Sequence, residues 1–126
     1  MTFEEALRYE LTQIAELQDK VFPANAPEGT LPPYVIYLSQ DGREIKCLDG
    51  FTGAKELNYE INIIQKTYFG LKTLSSQVLA KLKSFALRNI GDNGPYIQDI
   101  TITGPVEMYE SEIEAYRAYY EIKINL

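Results

Sequence analysis

The sequence predicts an α+β fold, an antiparallel β-sheet with two helices packed on one face, in the order αβ(β)βαββ. Three observations carry that expectation. Two segments, 2–20 and about 68–88, repeat apolar residues at helical spacing. Three others, 34–39, about 56–66 and about 115–125, are rich in β-branched and aromatic residues, and the last two alternate cleanly between apolar and polar. Breakers punctuate the chain between them, at Asp41-Gly42, Asp49–Gly53, Gly91–Pro95 and Gly104-Pro105.

The first helix opens on Thr2 and Glu5. This is a capping-box pair, in which hydroxyl and carboxylate each satisfy an orphan backbone N–H. Phe3, Leu7, Leu11, Ile14 and Leu17 then form one apolar face, and Glu4/Arg8 and Glu16/Lys20 are i,i+4 pairs in the favourable order. Pro23 stops the helix near Phe22. Residues 23–33, with four prolines and a glycine, read as a stiff extended loop lying against the body of the domain. The first strand is 34–39. Residues 40–56 read as a long hairpin tip or a small side hairpin, with a short strand at 44–48. In the strand at 56–66, Leu57, Tyr59, Ile61 and Ile63 face one way and Asn58, Glu60 and Asn62 the other, so one face is buried and one is wet.

Thr67 is the expected N-cap of the second helix. Leu71, Leu74, Val78, Leu82, Phe85 and Ala86 form its stripe, and Lys72, Lys81, Lys83 and Arg88 flank it with aliphatic stems over apolar surface. Gly91–Pro95 ends it. Ile100 and Ile102 alternate with polar neighbours in a further strand, Gly104-Pro105 breaks it, and Glu107, Glu110, Glu112 and Glu114 crowd the connection. In the last strand Tyr116, Ala118, Tyr120, Ile122 and Ile124 share one face.

A chain of 126 residues corresponds to one domain, and 45% hydrophobic content is enough for a core without staples. It contains no His, which removes His-based general bases, Ser-His-Asp and Cys-His pairs and His-ligated metals. A lone cysteine, Cys47, removes internal disulfides, CxxC pairs and Cys-rich zinc sites, and reads as apolar filling in a reducing compartment. Carboxylate pairs are the remaining catalytic option, Asp41 with Asp49 or the Glu107–Glu114 group. Acid/base work needs two carboxylates in unlike environments, whereas an exposed run shares one. No phosphate-cradling glycine motif is present, and Asp92-Asn93-Gly94 lacks calcium-loop spacing. No cofactor and no enzymatic activity are expected. The acidic N-terminal segment and the absence of a long apolar run point to a cytosol-made protein that does not span a membrane. The acidic balance argues against specific nucleic-acid binding.

The net charge of −6 is unevenly spread. No acidic residue lies between Glu60 and Asp92, a segment that carries +5 through Lys66, Lys72, Lys81, Lys83 and Arg88, while the rest carries −11. The lysines either solvate helix edges or meet an acidic surface on a neighbouring subunit, as in head-to-tail contact between identical copies. Tyr116, Tyr119 and Tyr120 read either as a half-buried sheet face or as a stacking surface.

The block Val21–Tyr37, with an aromatic-Pro segment, Ala26-Pro27-Glu28-Gly29 and Pro33-Tyr34-Val35-Ile36-Tyr37, resembles the tail-completion and tail-terminator (tail-to-head joining) proteins of long-tailed bacteriophages and their gene-transfer-agent relatives. So do Leu48-Asp49-Gly50 with Gly53, Thr67-Tyr68 opening a helix, and Met108-Tyr109-Glu110 followed by Tyr116-Arg117-Ala118-Tyr119-Tyr120-Glu121-Ile122. The likeness spans nearly the whole chain. Glu114-Ala115 departs from it where many relatives have a glycine, as does Phe69-Gly70 at a helix start that is usually more polar.

The resemblance implies a structural virion protein located at the neck or top of the tail and assembled in the bacterial host cytoplasm. Such proteins form a homo-oligomeric ring, usually a hexamer, on the head-proximal end of the tail tube. The ring halts polymerisation of the tube protein and meets the head connector or a head-completion protein. On this reading Lys72, Lys81 and Lys83 are subunit-interface candidates facing Glu107, Glu110 or Glu112 of a neighbour. Asp41, Arg43, Asp49, Phe51 and Lys55 belong to a contact loop toward the tube, the connector or the lumen. The alternative from composition is a small acidic binding module of immunity or antitoxin type.

Overall fold

A computed structural model describes the backbone of residues 1–40, 43–47 and 50–126, and the side chains of residues 1–40 and 55–126. Helix α1 spans Phe3–Thr12. Its capping box is formed: Thr2 Oγ1 accepts from the Glu5 N–H at 3.3 Å, and Glu5 Oε1 accepts from the Thr2 N–H at 3.2 Å. The hydrogen bonds from the Thr2 backbone and then its hydroxyl hold the Glu5 carboxyl below its ordinary pKa. The helix is shorter than the expected 2–20. Ile14 turns extended, and a 3₁₀ turn at Ala15–Leu17 follows. Phe3, Leu7, Leu11 and Leu17 are nevertheless all buried, because the tight turn returns Leu17 to the same side.

Strand β1 (Val21–Pro23) was not expected. It pairs in parallel with β2 (Tyr34–Ser39), Val21 opposite Val35. Pro23 closes this strand at a sheet edge, a position where a missing N–H is tolerated. The α+β class stands, with a mixed rather than wholly antiparallel sheet. Between β1 and β2 the proline-rich segment touches the body of the protein through Ala26, packed on a small apolar cluster, but most of it is exposed, Leu31 at 73%.

β3 (Arg43–Cys47) and β4 (Gly50–Gln65) pair antiparallel. The Asp49–Gly53 breaker therefore does not hold off the next strand until 56. From Gly50 to Lys55, β4 runs past the start of its pairing with β8 (Ala115–Asn125), which begins at Glu56 opposite Asn125. β3 and this part of β4 thus make a two-stranded ribbon extending beyond the main sheet.

Helix α2 spans Tyr68–Lys83, with Thr67 as N-cap accepting from the Gly70 N–H at 3.0 Å. Leu71, Leu74, Val78, Leu82 and Phe85 are buried, but Ala86 is exposed. The helix ends at Lys83, before the expected 88, and Leu87 adopts a left-handed backbone. Gly91–Pro95 is not the helix stop. It is the turn between β5 (Arg88–Asn89) and β6 (Tyr96–Ile97), where a Cβ on Gly94 would lie 2.0 Å from the Ile90 carbonyl oxygen.

β7 (Asp99–Glu110) runs straight through Gly104-Pro105, which makes a register shift between Thr103 and Val106 rather than a break. A glycine is required there: φ is +123°, and a Cβ would meet Tyr119 O at 2.8 Å. The main sheet has the order β1-β2-β4-β8-β7, with β3 also on β4.

Both helices cover one face of the sheet. Phe3, Leu7, Leu11, Leu74 and Val78 pack there on Val35, Ile61, Ile63, Ala118, Tyr120 and Ile122. Ser75 of α2 and Tyr120 of β8 share a buried hydroxyl–hydroxyl bond of 2.6 Å that fixes helix to sheet. The opposite face is not simply wet. Tyr34, Ile36, Ile64 and Ala115, joined by Phe22, Ala26 and Leu38, make a second cluster on it, and Asn62 beside them is only 1% exposed.

Candidate functional site

The basic helix and the acidic strand connection are neighbours within one chain. β7 carries Glu107 on the helix-covered face, where its register partner is Ala118. Lys72 of α2 reaches across to it, with Nζ 2.7 Å from Glu107 Oε1 and 5.4 Å from the Tyr68 ring centroid. The hydrogen bond to Glu107 is the main cause that raises the Lys72 pKa above its ordinary value. The other carboxylate oxygen, Glu107 Oε2, is buried without a hydrogen-bond partner among the described residues.

Glu110 lies on the other face, 3.2 Å from Arg117 Nε, and Arg117 Nη1 donates to Asn62 Oδ1 at 3.2 Å. Neither glutamate belongs to an exposed connection. Only Glu112 and Glu114 do, in the four-residue turn between β7 and β8.

The other cations are engaged unequally. Arg88 pairs with Glu10, a carboxylate only 4% exposed, and also donates to Ser84 O at 2.7 Å. Gly91 N–H donates to the second Glu10 oxygen at 3.3 Å, so the pair fastens the β5–β6 hairpin to α1. Lys81 donates to Gln13 Oε1 at 3.1 Å. Lys83 is exposed and has no ion-pair partner among the described residues.

Of the six interface candidates, Lys72 meets Glu107 and Glu110 meets Arg117 inside the subunit, while Lys83 and Glu112 face solvent and Lys81 is half-buried. Of the contact-loop candidates, Asp41 and Asp49 lie outside the described residues. Arg43 and Phe51 sit on the β3–β4 ribbon, with only their backbone described. Lys55 is exposed near the base of the ribbon, and its carbonyl accepts from the Leu126 N–H at 2.9 Å. The side chain of Cys47 likewise lies outside the described residues.

The three C-terminal tyrosines divide between environments. Tyr120 is core, Tyr119 points to the helix-free face, and Tyr116 stacks edge-on with Tyr68 and Tyr109 at 5.7 and 5.0 Å. Sequence reading missed that aromatic cluster, and also the exposed apolar residues Phe69, Leu87, Val106 and Met108. The signal for Phe69 was available, since it falls opposite the buried stripe in the helical repeat.

An open cleft beside α1 is lined by Glu4, Arg8, Tyr9, Pro23 and Tyr37. Burial, and then the Glu4 charge, raise the Tyr37 pKa above its ordinary value. Among the described residues no group of three or more acidic or Cys side chains could hold a metal ion, and no helix is long and apolar enough to cross a membrane.

No protein-family model matches the sequence, and no curated protein matches it. Among solved structures, the chain is similar to one from a virion of a native gene transfer agent particle, with a TM-score of 0.72 over 98% of this chain and 92% of that one. At 11% sequence identity the likeness is one of fold, and it extends essentially from end to end of both chains.

Proposed function

We propose that this chain is a structural virion protein of a long-tailed phage or prophage. It forms a ring, a hexamer, at the head-proximal end of the tail tube, stops tube polymerisation and joins the tail to the head connector. The observation that carries this reading is the end-to-end fold likeness to a chain of a gene-transfer-agent virion. The resemblance of the Val21–Tyr37 and Met108–Ile122 blocks to tail-completion proteins supports the finer placement.

The role is mechanical and needs no catalytic group. A ring requires two different surfaces on each subunit that meet with a rotation that closes. Lys81 and Lys83 supply cations to such a contact. Lys72, Glu107 and Glu110 already have partners inside the subunit, so they contribute less. The β3–β4 ribbon, which outruns the sheet, supplies a lever for contact with the tube or the connector.

The test is assembly without this chain. The expected result is unjoined heads, with tubes of uncontrolled length. Normal, joined particles would overturn the proposal.

A further inference from the structure

The helix-free face of the sheet carries an unresolved conflict. Glu60 of β4 stands directly opposite Glu121 of β8, and like charges across an antiparallel pair repel. Glu60 accepts from Asn62 at 3.0 Å and from Gln40 at 3.3 Å, whereas Glu121 is exposed and has no ion-pair partner among the described residues. The cations on this face are used elsewhere: Arg117 pairs with Glu110, and Lys123 lies 3.5 Å from Glu56.

Two residues further along the strands the character changes. Tyr119 pairs in register with Val106, and Arg117 with Met108, and both Val106 and Met108 are exposed although apolar. An acidic row therefore adjoins an apolar one.

On the opposite side of the molecule α2 has the complementary pattern. Phe69, Ser76, Ala80 and Lys83 follow one line along the helix, and all four are exposed. Phe69, at 83% exposure, is the most exposed large apolar side chain described. The middle of the line is small and uncharged, and its far end, Lys83, is a cation with no ion-pair partner among the described residues.

We propose that this face of α2 in one copy docks on the helix-free face of β8 and β7 in a second copy. Phe69 packs against Val106, Met108 and Tyr119, and Lys83 reaches Glu121 and Glu60. The proposal rests on the ring reading above and names the surfaces that build the ring. Charge complementarity selects the occupant: the +5 segment brings a cation to a row of this face where two carboxylates, Glu60 and Glu121, oppose each other.

Phe69 and Lys83 are roughly 21 Å apart along the helix, and Glu121 and the Arg117–Met108 pair roughly 13 Å apart along β8; the Lys83 and Glu121 side chains together span the difference. The two surfaces lie on opposite sides of the subunit and differ from each other, so the contact is head-to-tail and propagates from copy to copy.

The test is sedimentation of the full chain over a wide concentration range. The wild type is expected to form species larger than a dimer. Phe69→Asp and Glu121→Lys, both at exposed positions, should each weaken association about thirtyfold or more. Lys83→Glu should weaken it, and combining Lys83→Glu with Glu121→Lys in one chain should restore it. Because the contact has two sides, mixing the Phe69→Asp chain with the Glu121→Lys chain should give a 1:1 dimer that grows no further. Oligomers unaffected by these substitutions would overturn the docking while leaving a ring with another interface. A wild type that stays monomeric throughout would overturn the docking as well, and the assembly experiment above then decides the virion reading separately.

Discussion

Replacing Arg88 by methionine removes the cation that faces Glu10 and leaves that carboxylate, only 4% exposed, with the Gly91 N–H as its remaining partner. Breaking a fully buried pair costs about 3–5 kcal/mol. The Arg88 side chain is 38% exposed, so water reaches the vacated position and screening lowers the cost. The expected loss is about 2–3 kcal/mol, or a Tm lower by roughly 6–12 °C for a domain of this size. Urea and thermal melts followed by circular dichroism measure it. The double variant Glu10→Leu/Arg88→Met, which removes both charges, should lie within about 1 kcal/mol of wild type, because apolar replacement of a whole pair is close to neutral. A loss below about 0.5 kcal/mol for Arg88→Met alone would mean that Glu10 is solvated in the native state and that the hairpin is not held to α1 by this pair.

Three further outcomes follow from the same structure. Tyr120→Phe should cost about 1–2 kcal/mol by orphaning the buried Ser75 hydroxyl, and Ser75→Ala/Tyr120→Phe should cost less than the two single changes together, as a double-mutant cycle of melts would show. The Lys72–Glu107 pair raises the lysine pKa above its ordinary 10.5. Its contribution is therefore present below that value and is lost as pH rises through the folded-state pKa, so the gap in Tm between wild type and Glu107→Gln should close in strongly alkaline solution. Deleting residues 42–53 should leave a folded protein, since the described core is drawn from the two helices, β1, β2, β4 from Leu57 on, β6 and β8, yet block tail completion in an assembly assay.

What was legible in the sequence was what local pattern determines. β2 matches its expected limits because a β-branched and aromatic run lies between Pro32-Pro33 and Asp41-Gly42, and β8 because apolar and polar residues alternate along it. The Thr2 and Thr67 caps were legible because a cap needs only a few adjacent residues. β1 was not, because three residues have no period and become a strand only through parallel pairing with Val35–Tyr37. Gly104-Pro105 read as a stop on local chemistry, but pairing with β8 on both sides of it carries β7 through as a bulge.

The candidate site failed at the same point. Composition separates the charges, but register decides who meets whom. Lys72 finds Glu107 across 35 positions, and Glu60 is set against Glu121 across 61, by pairings that no local signal encodes. The split charge seen in the sequence was thus partly spent inside the subunit, on the Lys72–Glu107 and Arg88–Glu10 pairs, and the part left over includes Lys83 and the acidic row of the helix-free face.

If this chain closes the head-proximal end of a tail, as proposed, electron microscopy of particles assembled with an epitope-tagged chain should show antibody label at one end of each tail only, between tube and head, with a closed ring of density there. Label distributed along the tail, or particles that carry none, would contradict that role.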